Sequence, residues 1–431
     1  MTFDGLFGAV FVPSSLRAAL SDTAWLQAML DAERALAVAE AEAGVIPAAA
    51  AEAIERACEA DRFDPEQIGV DARRVGNPAE PLVRALRDAV GGEAAQYVHW
   101  GATSQDVVDT AAVLVSRRAL ELVLADLAAV ADACAALADE HRATLLAGRT
   151  LLQQASPTTF GLKAAGWLVG VIEVRRALTA ARAGLPAQLG GAVGTLAALG
   201  SDGPAVLNGF ADELGLPQPV LVWHTMRLPI AGLGAALDLT AGTLAKIALD
   251  VALLAQTEVG EAAESSEGGR GGSSTLPHKR NPIGATLALA CARQVHAHAG
   301  VLTGSLAQEH ERAIGAWHAE WQPLRDALAL TGGAAAWVRE SLEGLEVDAD
   351  RMRRNFDATN GLIMAEAAGF RLAAKLGRSE ANDAVAAAAR RVAETGRSLE
   401  EELGEPLDPA TYLGMAGEFV DRALAFHRSG A

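Results

Sequence analysis

Residues 103–147 read TSQDVVDTAAVLVSRRALELVLADLAAVADACAALADEHRATLLA, 45 positions without a single Gly or Pro. Those two residues cost about 1 and 3 kcal/mol relative to Ala inside a helix, so nothing in this run would stop one. Leu120, Leu124, Leu127, Cys134 and Leu137 recur at spacings of 4, 3, 7 and 3, which places them on one helical face. At about 1.5 Å per residue, even 35 such residues extend roughly 50 Å. A helix this long with an apolar stripe must bury that stripe against helices of similar length.

Outward from this run the pattern repeats. Residues 233–259 carry Leu237, Leu244, Ile247, Val251 and Leu254 on one stripe, and further runs cover 283–302 and 314–330. Hydrophobic residues make up 51% of the chain but aromatics only 4%. Ala leads, and Ala favours helices over strands. The ends look different. Up to about Tyr97, shorter helical patches break at Pro13, Pro47, Pro65, Pro78 and Pro81, and beyond Arg351 at Gly361, Gly369, Gly377 and Pro409. The expectation is an all-α chain: a central bundle of long helices (109–350) flanked by smaller helical domains at 1–108 and 351–431. Stripes this long are more than one 431-residue chain should cover, which predicts a homotetramer.

One break interrupts the long helices. Ser265-Ser266-Glu267-Gly268-Gly269-Arg270-Gly271-Gly272-Ser273-Ser274 is followed at once by Thr275-Leu276-Pro277-His278-Lys279-Arg280-Asn281-Pro282. Glycines free in φ can turn several N–H groups toward one point and so build an anion site. Composition alone suits a surface linker equally well.

The 36 basic and 54 acidic residues leave a formal charge of −18. That balance argues against nucleic acid and anionic membranes as partners, and it means an anionic substrate must be met by a few local cations. The three cysteines, Cys58, Cys134 and Cys291, lie far apart with no CxxC spacing, which reads as reduced thiols. The opening MTFDGLFGAVF lacks the basic region of a signal peptide, and no uncharged apolar run reaches 18 residues. A soluble cytoplasmic protein is expected.

Gly272-Ser273-Ser274-Thr275-Leu276-Pro277-His278-Lys279-Arg280-Asn281-Pro282 resembles the signature loop of the fumarase/aspartase superfamily, GSSxMPxKxNP, with Leu276 where Met is usual. His99-Trp100-Gly101-Ala102-Thr103-Ser104-Gln105-Asp106 is similar to the first motif region of that family. The second is matched by Arg149 through Gln154 and Pro157 through Gly161. The resemblance implies a long-helix bundle with two smaller helical domains, and a tetramer whose active sites draw on three subunits.

Within the superfamily, the Pro277-His278-Lys279-Arg280-Asn281-Pro282 form is shared by adenylosuccinate lyases and bacterial 3-carboxy-cis,cis-muconate cycloisomerases. The lyases carry a catalytic His where Leu151 stands and a His-Asp pair where this chain offers Gly76-Asn77. The segments at 99–106, 190–195 and 308–317 look like the cycloisomerases, some of which have Trp at the Leu151 position. The resemblance therefore implies lactonisation of a small polycarboxylate, with no metal or organic cofactor. An adenylosuccinate lyase or related lyase is the alternative, and a scaffold without activity is a third reading. Ser273, Lys279 and Asn281 argue against the scaffold, since a structural oligomer has no need of them.

Carried over by motif, Ser273 would exchange the α-proton. Lys279 and Asn281 would stabilise the doubly charged aci-carboxylate, and Arg312 would grip a carboxylate. Thr103 and Ser104 either bind a substrate carboxylate or cap the long helix. Thr150, Leu151, Gln153, Ser274 and His224 complete the expected substrate wall. Read as helical, Arg312 falls about 200° from Ile314, off an Ile314–Trp317–Trp321 stripe and free to face a cleft. His296 and His298, two apart, cannot share an ion, and His310 and His318 have no suitably spaced carboxylate, so no metal site is expected.

Overall fold

The computed structural model describes residues 5–430. Six helices exceed twenty residues: α1 (Asp22–Glu42), α2 (Ser104–Glu140), α3 (Phe160–Ala183), α4 (Leu228–Leu254), α5 (Ile283–Gly304) and α6 (Ala316–Glu343). Strand β1 (Leu145–Thr150) pairs antiparallel with β2 (Gln153–Thr159), and β3 (Ala262–Ala263) with β4 (Glu346–Val347). Two short two-stranded ladders do not alter an all-α class.

The Gly/Pro-free run does not stay helical to its end. α2 stops at Glu140, and the last residues of the run become β1, with Leu145 opposite Thr159 and Ala147 opposite Pro157. Ala147 is buried against Phe356, Ile363 and Met364. Pairing and packing with distant residues override the local helical preference. The reversal is tight. The N–H groups of Phe160 and Gly161 donate to the Thr144 and His141 carbonyls, each at 2.9 Å. A Cβ on Gly161 would lie 2.6 Å from Arg142 Cα, so only glycine lets α3 start this close to the end of α2.

The apolar stripes are buried as their spacing requires. Leu120, Leu127 and Cys134 on α2 are inaccessible, as are Leu237, Leu244 and Val251 on α4. The residues that cover them belong to this same chain, which corrects the premise that one chain is too small to do so. What α4 leaves outside is a different set, Leu228 at 63% exposure, Leu239 at 62% and Leu249 at 47%.

The chain forms two compact units. The first comprises Met1–Asp126, Val174–Gly242 and Ala290–Ala336, and the second Leu127–Glu173, Thr243–Leu289 and Trp337–Ala431. Among the described residues no helix is long and apolar enough to cross a membrane.

A second correction concerns Arg312 and Ile314. α6 begins only at Ala316, so both lie on the connection 305–315, and Ile314 is exposed rather than part of a stripe. Gly315 has a φ of +95°, and the Ile314 N–H is taken by the Glu309 carboxylate at 3.1 Å. Side-chain hydrogen bonds replace the helical ladder there.

Candidate active site

In the first unit, functional side chains gather around the start of α2. Thr103 precedes the helix and Ser104 opens it, both half-buried. The Asp106 carboxylate accepts the Thr103 N–H at 3.0 Å, which ties the residue before the helix to its first turn. Asp106 also accepts the N–H groups of Gly190 and Gly191, each at 2.9 Å, and Nε2 of His224 at 2.7 Å. His224, expected on the substrate wall, is buried with its Nε2 on the Asp106 carboxylate.

Arg312 stands on the 305–315 connection, half-buried. Its Nη1 donates to Gln105 Oε1 at 3.1 Å and its Nη2 to the Ala192 carbonyl at 2.8 Å. Both acceptors are neutral, and among the described residues no carboxylate pairs with it. In a chain of net −18 this leaves a cation in reserve.

Beneath it lies a buried ionic cluster. Arg227 reaches Asp109 through both Nη atoms (2.7 and 2.9 Å) and Glu320 through Nη2 at 2.6 Å. Burial opposes the guanidinium charge, but the two carboxylates outweigh it and hold the Arg227 pKa above its ordinary value. Burial also raises the Glu320 carboxyl, against the pull of Arg227. Nearby, His99 Nδ1 lies 2.6 Å from Glu33 Oε1. Burial works against its protonation, but Glu33 prevails and lifts the imidazole pKa above the usual value.

In the second unit, the signature loop closes on itself. The N–H and Nδ2 of Asn281 both donate to the Gly271 carbonyl, at 2.9 and 3.0 Å. Gly271 has φ +67°, and a Cβ there would lie 2.4 Å from the Asn281 carbonyl oxygen, so the clamp requires glycine. Arg280 is spent on structure, bidentate to Glu346 (2.9 and 2.8 Å) and donating to the Glu264 carbonyl. Glu264 in turn accepts the N–H groups of Gly284 and Ala285 at the start of α5. Lys279, next to Arg280, is exposed, and among the described residues no carboxylate pairs with it. Ser273 is half-buried, and its Oγ accepts the N–H groups of Leu276 at 3.1 Å and Thr275 at 3.4 Å. Donors on that oxygen stabilise negative charge there. Ser274 beside it is exposed.

The β1–β2 hairpin belongs to the same unit. Arg149 makes a bidentate pair with buried Glu261 (2.8 and 2.7 Å), which ties the hairpin to the segment that leads into the loop. Thr150 and Gln153 face each other across the ladder, both exposed. Between them Leu151 and Leu152 turn the chain with φ of +50° and +64°. Such turns favour Asn-Gly, and Leu151 is 98% exposed despite its apolar side chain.

The structure thus places Thr103, Ser104, His224 and Arg312 in one unit, and Thr150, Leu151, Gln153, Ser273, Ser274, Lys279 and Asn281 in the other. Sequence reasoning passed over Asp109 and Glu320; it placed Gln105 in the first motif and Arg227 beside His224 in a substrate-side segment, but gave neither a role. One signal was available: Asp106 and Asp109 sit three apart among Val107, Val108, Ala111 and Ala112, and so on a face that must be buried. In the first unit Arg312 has the charge to meet a carboxylate, and in the second Lys279 and the Ser273 hydroxyl under two N–H donors have the chemistry to support developing negative charge.

Comparison with known proteins agrees. The sequence profile of a family described as lyase matches residues 12–297. The chain is 47% identical over 459 residues to a nitrosuccinate lyase of Streptomyces davaonensis, covering 99% of this chain and 97% of that one. It is 46% identical over 443 residues to a 3-carboxy-cis,cis-muconate cycloisomerase of Pseudomonas aeruginosa, covering 98% and 96%. The crystal structure of the 3-carboxy-cis,cis-muconate lactonizing enzyme from Pseudomonas putida superposes with a TM-score of 0.94 at 44% identity, covering 98% of this chain and 99% of that one.

Proposed function

Because this chain belongs to the fumarase/aspartase-type lyase family, we propose that it is a cycloisomerase converting 3-carboxy-cis,cis-muconate to 4-carboxymuconolactone in protocatechuate breakdown. The observation that carries this reading is Arg312, a half-buried guanidinium held by neutral oxygens and kept free for a substrate carboxylate.

In the forward direction a substrate carboxylate oxygen adds across a C=C bond, and the carbon α to another carboxylate takes up a proton. Ser273 is the group that carries that proton, the N–H donors of Leu276 and Thr275 supporting the charge it acquires on giving it up. Lys279 and the Nδ2 hydrogen of Asn281 not taken by Gly271 face the developing aci-carboxylate. Arg312, Thr103 and Ser104 hold a second carboxylate. Thr150, Leu151, Gln153 and Ser274 form the wall, and His224 supports Thr103 from below. No electrons leave the substrate and no group departs, so these residues suffice without a metal or organic cofactor.

Adenylosuccinate lysis fits less well. Its purine leaving group needs an acid, and neither the Leu151 side chain nor the Asn77 amide, whose oxygen accepts the Glu80 N–H at 3.2 Å, is one. A second reading does keep pace. Elimination from nitrosuccinate would expel nitrite, which, like a carboxylate, is a stable anion that needs little acid help, and a nitrosuccinate lyase is among the relatives. Loss of the conjugated diene absorbance on adding enzyme to 3-carboxy-cis,cis-muconate is the expected result. Nitrite and fumarate from nitrosuccinate, with the diene untouched, would replace this reading with the second.

The same reading proposes a cytoplasmic homotetramer with active sites shared among subunits, and the division of the chain at about residues 108 and 350. Exposed Leu239 and Leu249 on α4 support the assembly.

A further inference from the structure

The motif that supplies Thr103 and Ser104 continues into Gln105, to which the proposed chemistry gives no task. Gln105 is fully buried and its hydrogen bonds run in one direction. Its Nε2 donates to Asp109 Oδ2 at 3.1 Å and to the His224 carbonyl at 2.8 Å, while Oε1 accepts from Arg312. Flipping the amide would set NH2 against a guanidinium and oxygen against a carboxylate, so its neighbours fix its orientation. A neutral acceptor orients the guanidinium without cancelling its charge, whereas Glu at this position would form an ion pair with it and consume the charge meant for substrate.

The same buried cluster pins the connection that carries Arg312 on both sides. Before it, Gln308 Nε2 donates to Glu320 at 3.1 Å. After it, Trp317 Nε1 donates to Asp109 at 2.9 Å. The second acceptor for Arg312, the Ala192 carbonyl, sits on the segment that Asp106 holds through Gly190 and Gly191.

We propose that Gln105 is a positioning residue for the substrate-binding Arg312, with the Asp109–Arg227–Glu320 cluster as its fixed base. The proposal rests on the reading that Arg312 grips a substrate carboxylate. Because such a grip acts on bound substrate before chemistry, Gln105 should govern KM more than kcat.

The test is a double-mutant cycle with Gln105→Met, which keeps length and loses both polar atoms, and Arg312→Met. It is assayed on 3-carboxy-cis,cis-muconate, or on nitrosuccinate if that is the substrate turned over. Gln105→Met should raise KM about 10-fold with a smaller change in kcat, and should have no further effect once Arg312 is Met. If the two losses in kcat/KM multiply instead, Gln105 does not act through Arg312 and the inference is overturned, while the role of Arg312 stands. If Arg312→Met alone leaves kcat/KM unchanged, both fall. Should Gln105→Met fail to fold, Gln105→Asn, which keeps the amide but shortens its reach, enters the same cycle and is judged by the same outcomes.

Discussion

Glu40 on α1 offers a measurable consequence of burying a carboxyl without a partner. Its side chain is inaccessible, among the described residues neither oxygen has a hydrogen-bond donor, and Glu33 lies two turns away on the same helix. Burial first, and then the Glu33 charge, push its pKa up to about 9 from an ordinary 4.5. The folded protein therefore keeps a proton at pH 7 that the unfolded chain has released. Between pH 4.5 and 9 the folded state binds more protons, so stability falls as pH rises, by about 1.4 kcal/mol per unit for this group. At pH 7 the loss amounts to about 3 kcal/mol, and below pH 4.5 it vanishes. Gln has the shape of the neutral acid and cannot ionise. Glu40→Gln should thus be more stable than the parent at pH 7, by up to about 3 kcal/mol, with the gap closing toward pH 4.5 and widening toward pH 9. Urea denaturation of both proteins at pH 5, 6, 7 and 8 gives the comparison. Stability curves that run parallel across that range would show that Glu40 does not titrate as its burial requires.

Four further outcomes are expected. Lys279→Met should cut turnover at least 10²-fold, about 2.7 kcal/mol, the scale of losing one preorganised stabiliser of developing charge; steady-state kcat measures it. Leu151→His restores the residue of adenylosuccinate lyases, yet a leaving group that is already a stable anion has no use for that acid, so lactonisation should not improve. A several-fold gain would refute that account of why the histidine is dispensable. Hydrogen exchange should show residues 272–279 protected by saturating tricarboxylate, and protection that does not change would count against a lid. Light scattering should give the mass of four chains, and an active monomer would rule out shared sites.

The long helices were legible because helix formers without breakers leave the backbone little choice, as 104–140 and 283–304 demonstrate. The end of α2 was not. Nothing within Leu145–Thr150 announces a strand, and its partner and the apolar cluster it packs on lie elsewhere in the chain. The connection at 305–315 was misread for a related reason: its order comes from Gln308 and Trp317 bonding to buried carboxylates and from Glu309 taking the Ile314 N–H, which periodicity does not register. Motif likeness picked out Ser273, Lys279 and Arg312, but not which neighbouring cation was spoken for. Only the structure shows Arg280 bound to Glu346, while among the described residues no carboxylate pairs with Lys279 beside it. Buried ion clusters stay hidden in sequence because Arg, Asp and Glu are ordinarily surface residues, and one that contradicts its type is betrayed only by its neighbours.

The clamp between Gly271 and Asn281 also bears on how tightly a substrate can be held. A lid that must be ordered from a random segment costs about 1–2 kcal/mol for each residue fixed, and that cost is subtracted from the affinity. Here Asn281 closes the loop at its base, Arg270 is tied to Glu340, and Arg280 is tied to Glu346 before any ligand arrives. Between these ties lie 272–279, held only by short-range bonds such as those on the Ser273 hydroxyl, with Ser273 and Lys279 near the two ends of the stretch. Most of the disorder of the Gly/Ser insertion has been removed during folding rather than at binding, so the entropy lost on closure falls on the few residues that meet the substrate.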